Sequence, residues 1–310
     1  MPLPHLDAQT LADLLDLEEL SAFIPTAFRG AEAPARQHLE TSVGTLLIMP
    51  AWGLEGYAGT KLVTLQHANR ARGLPTIHGT YLLFEPETGR PLCTMDGGML
   101  TVLRTAATSA AAAAALANSA DTLLVVGTGR LAPWMARAHA RVMGCREVLV
   151  WGRHPDRAEG LAHALREEGF DARPAESLPA GLRGANMITV ATSSSSPLLT
   201  DEMVVDGVHL DLVGAYRSDM AEASPAWFTD ARVFVDTWEG ARSEAGDVIQ
   251  AVEAGVLTWQ SVAGSLEELF ANGNSPAKPP GEASRTIFKS VGASQEDLAA
   301  AVLAWTRYSA

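Results

Sequence analysis

The chain has little cysteine, no excess of positive charge and no long hydrophobic run. Its only cysteines, Cys93 and Cys145, can build neither a disulfide framework nor a metal cluster. Its 36 acidic residues outnumber 23 basic ones, so the net charge at neutral pH is −13. This balance argues against a nucleic-acid groove or an anionic membrane surface as a partner.

Targeting and membrane signals are also missing. The N-terminus carries neither the basic region nor the apolar run of a signal peptide. The small-apolar stretch over residues 106–117 is mostly alanine and is far shorter than a membrane span. We therefore expect a soluble, cytoplasmic protein with no membrane partner. Its 310 residues, 47% of them hydrophobic, are enough for the cores of two domains.

The most informative segment is an apolar run that ends in a glycine-rich turn. Residues 123–126 precede Gly127, Gly129 and Ala132 in the pattern Gly-x-Gly-x-x-Ala, and a helical segment and a second strand follow over residues 133–151. In this βαβ context the pattern predicts a dinucleotide site rather than a structural turn. Gly127 permits the tight turn, Gly129 lets the backbone approach a pyrophosphate, and Ala132 allows close packing of helix on strand. The helix N-terminus adds free N–H groups.

The tip of the second strand indicates which dinucleotide is bound. NAD sites usually place a carboxylate there for the ribose 2′-hydroxyl, whereas here Trp151 is followed by Gly152 and Arg153. Arg153 can fork onto a 2′-phosphate, and its alternative is a solvated loop position. Asp156 lies in a turn where it caps the next helix. The sequence favours NADP(H), with NAD(H) as the alternative.

The hydrophobic pattern along the chain predicts an α/β fold with a doubly wound parallel sheet. Leucines at helical spacing predict an amphipathic helix over residues 7–24, and an alanine-rich helix is predicted over 104–119. Strands are predicted at residues 44–49, 60–65, 77–84, 187–191, 209–213 and 233–236, and a final helix at 295–308.

Several segments together resemble the ornithine cyclodeaminase/μ-crystallin family over nearly the whole chain. They are residues 34–36, 47–51, 59–63, 87–92, 95–107, 127–132 and 288–292. The resemblance implies a Rossmann domain, residues 113–290, inserted into an α+β domain made of residues 1–112 plus 291–310. It also implies that this second domain binds substrate and forms a homodimer.

Because members of the family catalyse several different reactions, the residues of the site must indicate which reaction this chain catalyses. The cyclodeaminases carry an aspartate where Tyr216 stands, which argues against ornithine cyclodeamination, and Asp219 is an alternative acid three residues later. Residues 214–222, 235–238 and 244–247 resemble the Δ1-pyrroline-2-carboxylate reductases. We therefore expect NAD(P)H-dependent reduction of this cyclic ketimine to L-proline, with Δ1-piperideine-2-carboxylate giving L-pipecolate as a second reaction. The alternatives are ornithine cyclodeaminase, alanine dehydrogenase and a μ-crystallin-like NADPH-dependent ligand-binding protein.

Three cations fall where the resemblance implies substrate contacts: Arg36, Lys61 and Arg104. An arginine can hold a substrate carboxylate as a bidentate fork, and a desolvated lysine can exchange a proton with the ring nitrogen. Lys61, Arg104 and Asp219 are therefore the expected catalytic residues. From the residues alone, Lys61 could equally point outward from its strand, and Arg104 could be solvated or paired with Asp96.

Cofactor contacts are expected from several segments, and Lys289 and Val291 are expected to close over the nicotinamide. No metal site is expected, because the histidines lack metal-ligand spacing. The expected cofactor residues are Thr105, Gly127, Thr128, Gly129, Arg130, Leu131, Trp151, Arg153, Ala191, Thr192, Ser193, Val213, Lys289 and Val291.

Overall fold

The structure is a computed structural model that describes residues 3–42, 44–271 and 285–310. The chain divides into two compact units. The first comprises Met1–Ala107 and Ala293–Ala310, and the second is Thr108–Gly292. The boundaries predicted from the sequence, 112/113 and 290/291, lie close to these. The roles predicted for the two units remain predictions.

The first unit contains a six-stranded sheet with the strand order β1-β6-β5-β4-β3-β2. Strand β1 is parallel to β6, and the other pairs are antiparallel. In chain order its elements are β1 (His5–Leu6), α1 (Ala8–Leu14), α2 (Leu17–Gly30), β2 (Gln37–Thr41), β3 (Gly44–Trp52), β4 (Ala58–Leu65), β5 (Ile77–Phe84), β6 (Pro91–Asp96), α3 (Gly97–Leu116, which continues into the second unit) and α10 (Ser294–Ser309). Helix α10 packs on β3, β4 and β5, and on α2.

The N-terminal leucine-rich segment forms two helices, so the prediction of one helix over residues 7–24 is wrong. Asp7 accepts the backbone N–H of Thr10 at 2.8 Å, and Asp16 accepts that of Glu19 at 2.9 Å. Each aspartate is an N-cap, and the second one starts a new helix at Leu17. The leucine spacing continued through the break, so periodicity alone could not reveal it.

Helix α3 begins seven residues before the predicted start at Arg104, because Asp96 and Gly97 fix its first turn. Asp96 accepts the backbone N–H of Met99 at 2.6 Å. Gly97 packs so closely on β5 that a Cβ there would lie 2.6 Å from the carbonyl carbon of Gly79. Of the described helices, α3 alone is long and apolar enough to span a membrane, with a mean hydropathy of 1.4. Its most apolar window is 78% buried within the protein, as expected of a core helix.

The second unit contains an eight-stranded parallel sheet with the order β13-β12-β14-β11-β10-β7-β8-β9. Its elements are β7 (Thr122–Val126), α4 (Ala132–Met143), β8 (Glu147–Trp151), α5 (Pro155–Glu167), β9 (Ala172–Pro174), α6 (Leu178–Gly184), β10 (Met187–Val190), β11 (His209–Leu212), β12 (Arg232–Val235), α7 (Trp238–Glu244), α8 (Gly246–Glu253), β13 (Gly264–Ser265), α9 (Leu266–Ala271) and β14 (Thr286–Lys289). This is the predicted doubly wound α/β fold, and the prediction is confirmed.

Both faces of the second sheet are buried, as its continuous apolar strands require. On β7, Leu124 and Val126 belong to one core cluster, and Leu123 and Val125 to the cluster on the opposite face. The chain winds outward from β7 to β8 and β9 on one side, and then to β10 and β11 on the other. Ligands of such sheets bind outside the carboxyl ends of the strands at this reversal point.

Candidate functional site

A cleft of about 230 Å³ opens at the reversal point of the second sheet, at the carboxyl ends of β7, β8 and β10. It brings together eight of the predicted cofactor residues: Gly127, Thr128, Gly129, Trp151, Arg153, Ala191, Thr192 and Ser193. Gly152, His154, Arg157, Ser194 and Leu198 complete its lining.

The two glycines of the turn after β7 serve different purposes. Gly127 has a φ of +125°, and a Cβ there would lie 2.5 Å from the carbonyl oxygen of Ala191, so only glycine fits. A Cβ on Gly129 would meet no protein atom within 4 Å. The space beside Gly129 is therefore open, as close approach of a pyrophosphate requires. The residues present fit a dinucleotide.

Basic side chains gather where the cleft meets the tip of β8. Arg153 lies there as predicted, and His154 and Arg157 line the same end. None of the described residues that line the cleft is Asp or Glu. A carboxylate for a ribose 2′-hydroxyl is missing, whereas two guanidinium groups are present for a 2′-phosphate.

Four other predicted cofactor residues lie outside the cleft lining. Arg130 is exposed in the turn, and Leu131 is the half-buried residue that precedes α4. Val213 is buried, and its N–H donates to the carbonyl of Val190 at 3.1 Å. Thr105 is a buried residue of α3 in the first unit.

Lys289 and Val291 each contact a buried carboxylate of the second unit. Lys289 is completely buried, with its Nζ 2.9 Å from Oδ2 of Asp247. The backbone N–H of Val291 donates to Oδ2 of Asp236 at 2.6 Å. The structure does not support the prediction that Lys289 closes over the nicotinamide, because its ammonium group is engaged by a buried carboxylate.

In the first unit, Lys61 lies on the covered face of β4 and is 2% exposed, so it does not point outward. Its Nζ lies 2.8 Å from Oδ1 and 2.7 Å from Oδ2 of Asp297, and donates to Oγ1 of Thr101 at 3.2 Å. Asp297 is in the first turn of α10, which packs on this face of the sheet.

Arg104 shares the same carboxylate. Its Nε donates to Oδ1 of Asp297 at 3.0 Å, and its Nη1 donates to Oε2 of Glu296. Asp96, the partner considered from the sequence, instead caps α3. Among the described residues, Nη2 of Arg104 has no hydrogen-bond partner, and this nitrogen is not completely buried. It remains available to bind an anion.

Burial and neighbouring charges separate the two cations chemically. Burial lowers the pKa of Lys61 to about 8, Asp297 opposes this shift, and Arg104 and Arg36 reinforce it. Burial also acts against the charge of Arg104, but Glu296 and Asp297 outweigh it and raise the pKa of Arg104 above its usual value. Arg104 is thus a permanent cation, whereas Lys61 can titrate near neutral pH.

Arg36 and Tyr81 adjoin this cluster. Arg36 is half-buried and close enough to affect the pKa of Lys61, so the structure brings the three predicted cations together. Tyr81 pairs with Lys61 across β4 and β5, and its buried hydroxyl has no hydrogen-bond partner in the part of the chain described. Burial, reinforced by Asp297, raises the pKa of Tyr81 well above its usual value, so its hydroxyl stays protonated.

Asp219 does not fit its predicted catalytic role. Its side chain is 67% exposed and accepts two hydrogen bonds from Arg217, at 2.8 and 2.9 Å. The hydrogen bond from Arg217 lowers the pKa of Asp219, so the group is a poor proton donor. Tyr216 is 39% exposed.

Sequence reasoning missed Glu296, Asp297, Tyr81, His154 and Arg157. The two acidic residues at the start of the last helix were visible, but nothing local to them indicated that they meet cations 192 to 236 residues away. His154 and Arg157 lie one and four residues after Arg153, and this concentration of basic residues just after a strand was the signal available for them.

Within residues 3–42, 44–271 and 285–310, no group of three or more His, Cys, Asp or Glu side chains could hold a metal ion.

The comparisons with known proteins agree with this geometry. The model of the ornithine cyclodeaminase/mu-crystallin family matches residues 9–310. Protein SAR DEFICIENT 4 of Arabidopsis thaliana is 37% identical over 288 residues, which cover 89% of this chain and 87% of that protein. The Δ1-pyrroline-2-carboxylate reductase of Paracoccus denitrificans is 34% identical over 258 residues, covering 82% and 81%.

Among solved structures, the Δ1-pyrroline-2-carboxylate reductase of Thermococcus litoralis in complex with NADH and L-proline superimposes with a TM-score of 0.90. It is 27% identical in sequence, and the match covers 98% of this chain and 97% of that one.

Proposed function

Because the chain belongs to the ornithine cyclodeaminase/mu-crystallin family, we propose that it is an NAD(P)H-dependent reductase of cyclic ketimine carboxylates. Its substrate is Δ1-pyrroline-2-carboxylate and its product L-proline, with the six-membered Δ1-piperideine-2-carboxylate as a second substrate. One observation carries the proposal: a buried lysine whose pKa is about 8 lies beside a permanently charged arginine in the first unit.

Reduction of a cyclic ketimine needs a carboxylate anchor and a protonated ring nitrogen, because hydride adds readily to an iminium and poorly to a neutral imine. Arg104 supplies the anchor, through the terminal nitrogen that has no hydrogen-bond partner among the described residues. Arg36 adds a second guanidinium. The substrate carboxylate is thereby oriented before reaction.

Lys61 controls the proton. Burial keeps its pKa at about 8, so near neutral pH it can hold a proton and release it at little cost. Both carboxylate oxygens of Asp297 hold the Nζ of Lys61 in place, and Oγ1 of Thr101 accepts a further hydrogen bond from it. In the proposal Lys61 keeps the ring nitrogen protonated as C2 is reduced. Asp219 has no role, because it is exposed and paired with Arg217.

The cleft of the second unit holds the dinucleotide, which supplies the hydride when bound. Gly129 leaves room for the pyrophosphate, and Thr192 and Ser193 line the side formed by the loop after β10. Arg153, with Arg157 and His154, binds the 2′-phosphate. We therefore propose NADPH as the preferred cofactor and NADH as the weaker one.

A homodimer is part of the proposal. Strand β2 at the edge of the first sheet is exposed along its whole length, and its Leu39 is 46% exposed. Exposed apolar side chains on a sheet edge favour cover by a second copy of the chain. Light scattering should give twice the chain mass, and Leu39→Lys should shift the protein toward the monomer.

The assignment is tested by following NADPH oxidation with a panel of substrates. Δ1-pyrroline-2-carboxylate and its six-membered analogue are compared with pyruvate plus ammonia, and ornithine is tested with NAD. Rapid oxidation with the cyclic imines alone supports the proposal. Proline release from ornithine would assign the chain to the lyases. Tight NADPH binding without any turnover would favour the ligand-binding protein.

A further inference from the structure

A second buried ionic cluster lies in the second unit, and the proposed function assigns it no role. Glu222, Asp247 and Lys289 are 0 to 1% exposed. Lys289 comes from β14 and Asp247 from α8, whereas Glu222 ends the loop that follows β11. Lys289 pairs directly with Asp247 at 2.9 Å, so the cluster holds two carboxylates for one ammonium group, an arrangement that is costly to bury unless other donors complete it.

The additional donors to Glu222 come from the loops at the carboxyl ends of β10 and β11. Its Oε1 accepts the backbone N–H of Thr192 at 2.7 Å and the hydroxyl of Thr192 at 2.8 Å. Its Oε2 accepts the backbone N–H of Gly214 at 2.6 Å. Thr192 lines the dinucleotide cleft, so this carboxylate directly supports one wall of it.

The packing around these contacts is tight. A Cβ on Gly214 would lie 1.8 Å from the carbonyl oxygen of Thr192 and 2.3 Å from Oε1 of Glu222. Asp247 holds the other side, since its Oδ1 accepts the backbone N–H groups of Glu222 and Ala223 at 2.6 and 3.0 Å. Glu222 is therefore fixed at both its backbone and its carboxylate.

We propose that Glu222 is a positioning residue for dinucleotide binding. Its ionised carboxylate holds the segment after β10 in the conformation that lines the cleft, and its protonation releases that segment and weakens binding. This inference rests on the proposed dinucleotide cleft but on no assumption about the substrate.

The electrostatics of the cluster make Glu222 the member that gains the proton. Burial raises the pKa of Glu222 to about 7, Lys289 opposes the shift, and Asp247 reinforces it. Oδ1 of Asp247 accepts two N–H groups, and its Oδ2 lies 2.9 Å from Nζ of Lys289. On the loop itself, Arg217 and Asp219 pair with each other at the surface. Protonation removes the charge that these donors face, and a hydroxyl at Oε2 would point toward the N–H of Gly214, which cannot accept it.

The test is the dissociation constant of NADH, measured by fluorescence at about pH 6 and about pH 8. NADH is used because the 2′-phosphate of NADPH itself titrates near pH ~6. The measurements are made in a His154→Gln background, so that the histidine of the cleft is not a source of pH dependence. If only the ionised form binds, a pKa of about 7 predicts about tenfold weaker binding at the lower pH.

Glu222→Gln should bind NADH about tenfold more weakly at the higher pH, because its amide NH2 opposes one of the donors, and its affinity should not change with pH. Glu253→Gln, an exposed carboxylate on the same helix as Asp247, is the matched control and should behave as the parent does. If Glu222→Gln fails to fold, Thr192→Val replaces it. That variant removes one donor and should weaken binding severalfold while keeping the pH dependence.

The outcomes separate the two proposals. A parent protein with no affinity for NADH or NADPH at either pH contradicts the proposed function. A parent that binds NADH equally at both values contradicts the role of Glu222 and leaves the cleft assignment intact. Equal affinity of Glu222→Gln and the parent at about pH 8 also contradicts the role of Glu222.

Discussion

The candidate substrate site of the first unit and the dinucleotide cleft of the second are built in opposite ways. In the first, Lys61 and Arg104 are at most 5% exposed and share the carboxylate of Asp297. In the second, Arg153 is exposed at a strand tip, and Gly129 offers open space. A site of buried ion pairs is held ready for its ligand, but loses stability when one partner is removed. In a site built from backbone turns and surface cations, removal of one side chain weakens ligand binding but leaves the stability of the fold unchanged.

The largest effect is expected from the buried cations. Lys61→Ala and Arg104→Ala should each lower kcat by about 100-fold or more, because each removes charge from the site where the substrate is oriented and protonated. Each also removes one cation from a buried carboxylate, so Tm should fall by the equivalent of at most about 3–5 kcal/mol.

Steady-state rates and calorimetry measure both effects, and NADPH affinity should be unchanged. Wild-type turnover in both variants would remove these residues from the active site.

The next effect should appear as a change in cofactor choice. Arg153→Ala should raise the Michaelis constant for NADPH by about 10- to 100-fold, because it removes a charge-assisted hydrogen bond to the 2′-phosphate. The Michaelis constant for NADH should change little. Its Tm should match that of the wild type, because the side chain is exposed. Arg146→Ala is the control, since its side chain is 86% exposed and lies outside the cleft lining. Equal changes for both cofactors would exclude a 2′-phosphate site at Arg153.

The two glycines of the turn separate folding from binding within one site. Gly127→Ala should lower Tm, because its φ is unfavourable for alanine and its Cβ would strike the carbonyl of Ala191. Gly129→Ala should leave Tm unchanged and weaken dinucleotide binding by about tenfold, since its methyl group fills space kept for the pyrophosphate. Thermal melts with and without NADPH measure both. A loss of Tm in Gly129→Ala that matches Gly127→Ala would contradict the open space.

The smallest effect should be a shift in a pH profile. Asp297 raises the pKa of Lys61 against the effect of burial, so Asp297→Asn should lower that pKa below about 8. Lys61 then loses its proton at lower pH, and the alkaline limb of kcat/KM should move down by about one unit. Glu296→Gln is the matched control, because Glu296 contacts Arg104 and not Lys61. An identical shift in both variants would mean that Lys61 is not the group observed.

The same contrast explains what the sequence could predict. The cleft is built from short segments that follow neighbouring parallel strands, so Gly127, Gly129 and Arg153 could be placed there from motif and strand position. The cation cluster depends on a helix that packs on β4 from the other end of the chain, so Lys61 and Arg104 could be proposed but Asp297 and Glu296 could not.

For a related reason, neither Lys289 nor Asp219 lies in the cleft lining or in the cation cluster. Their sequence neighbourhoods matched a functional segment, yet their charges are taken by Asp247 and Arg217. Periodicity likewise predicted the doubly wound sheet, because buried parallel strands leave a strong signal, but missed the N-cap at Asp16 that divides the first helix.

The central claim is that this chain transfers a hydride from a nicotinamide cofactor to C2 of a cyclic ketimine carboxylate. Deuterium tracing tests it most directly: Δ1-pyrroline-2-carboxylate is reduced with each of the two NADPH epimers deuterated at nicotinamide C4, and the proline is analysed by mass spectrometry and NMR. The account predicts one deuterium at C2 of proline from one epimer and none from the other. Proline without label from either epimer, or no proline at all, would contradict it.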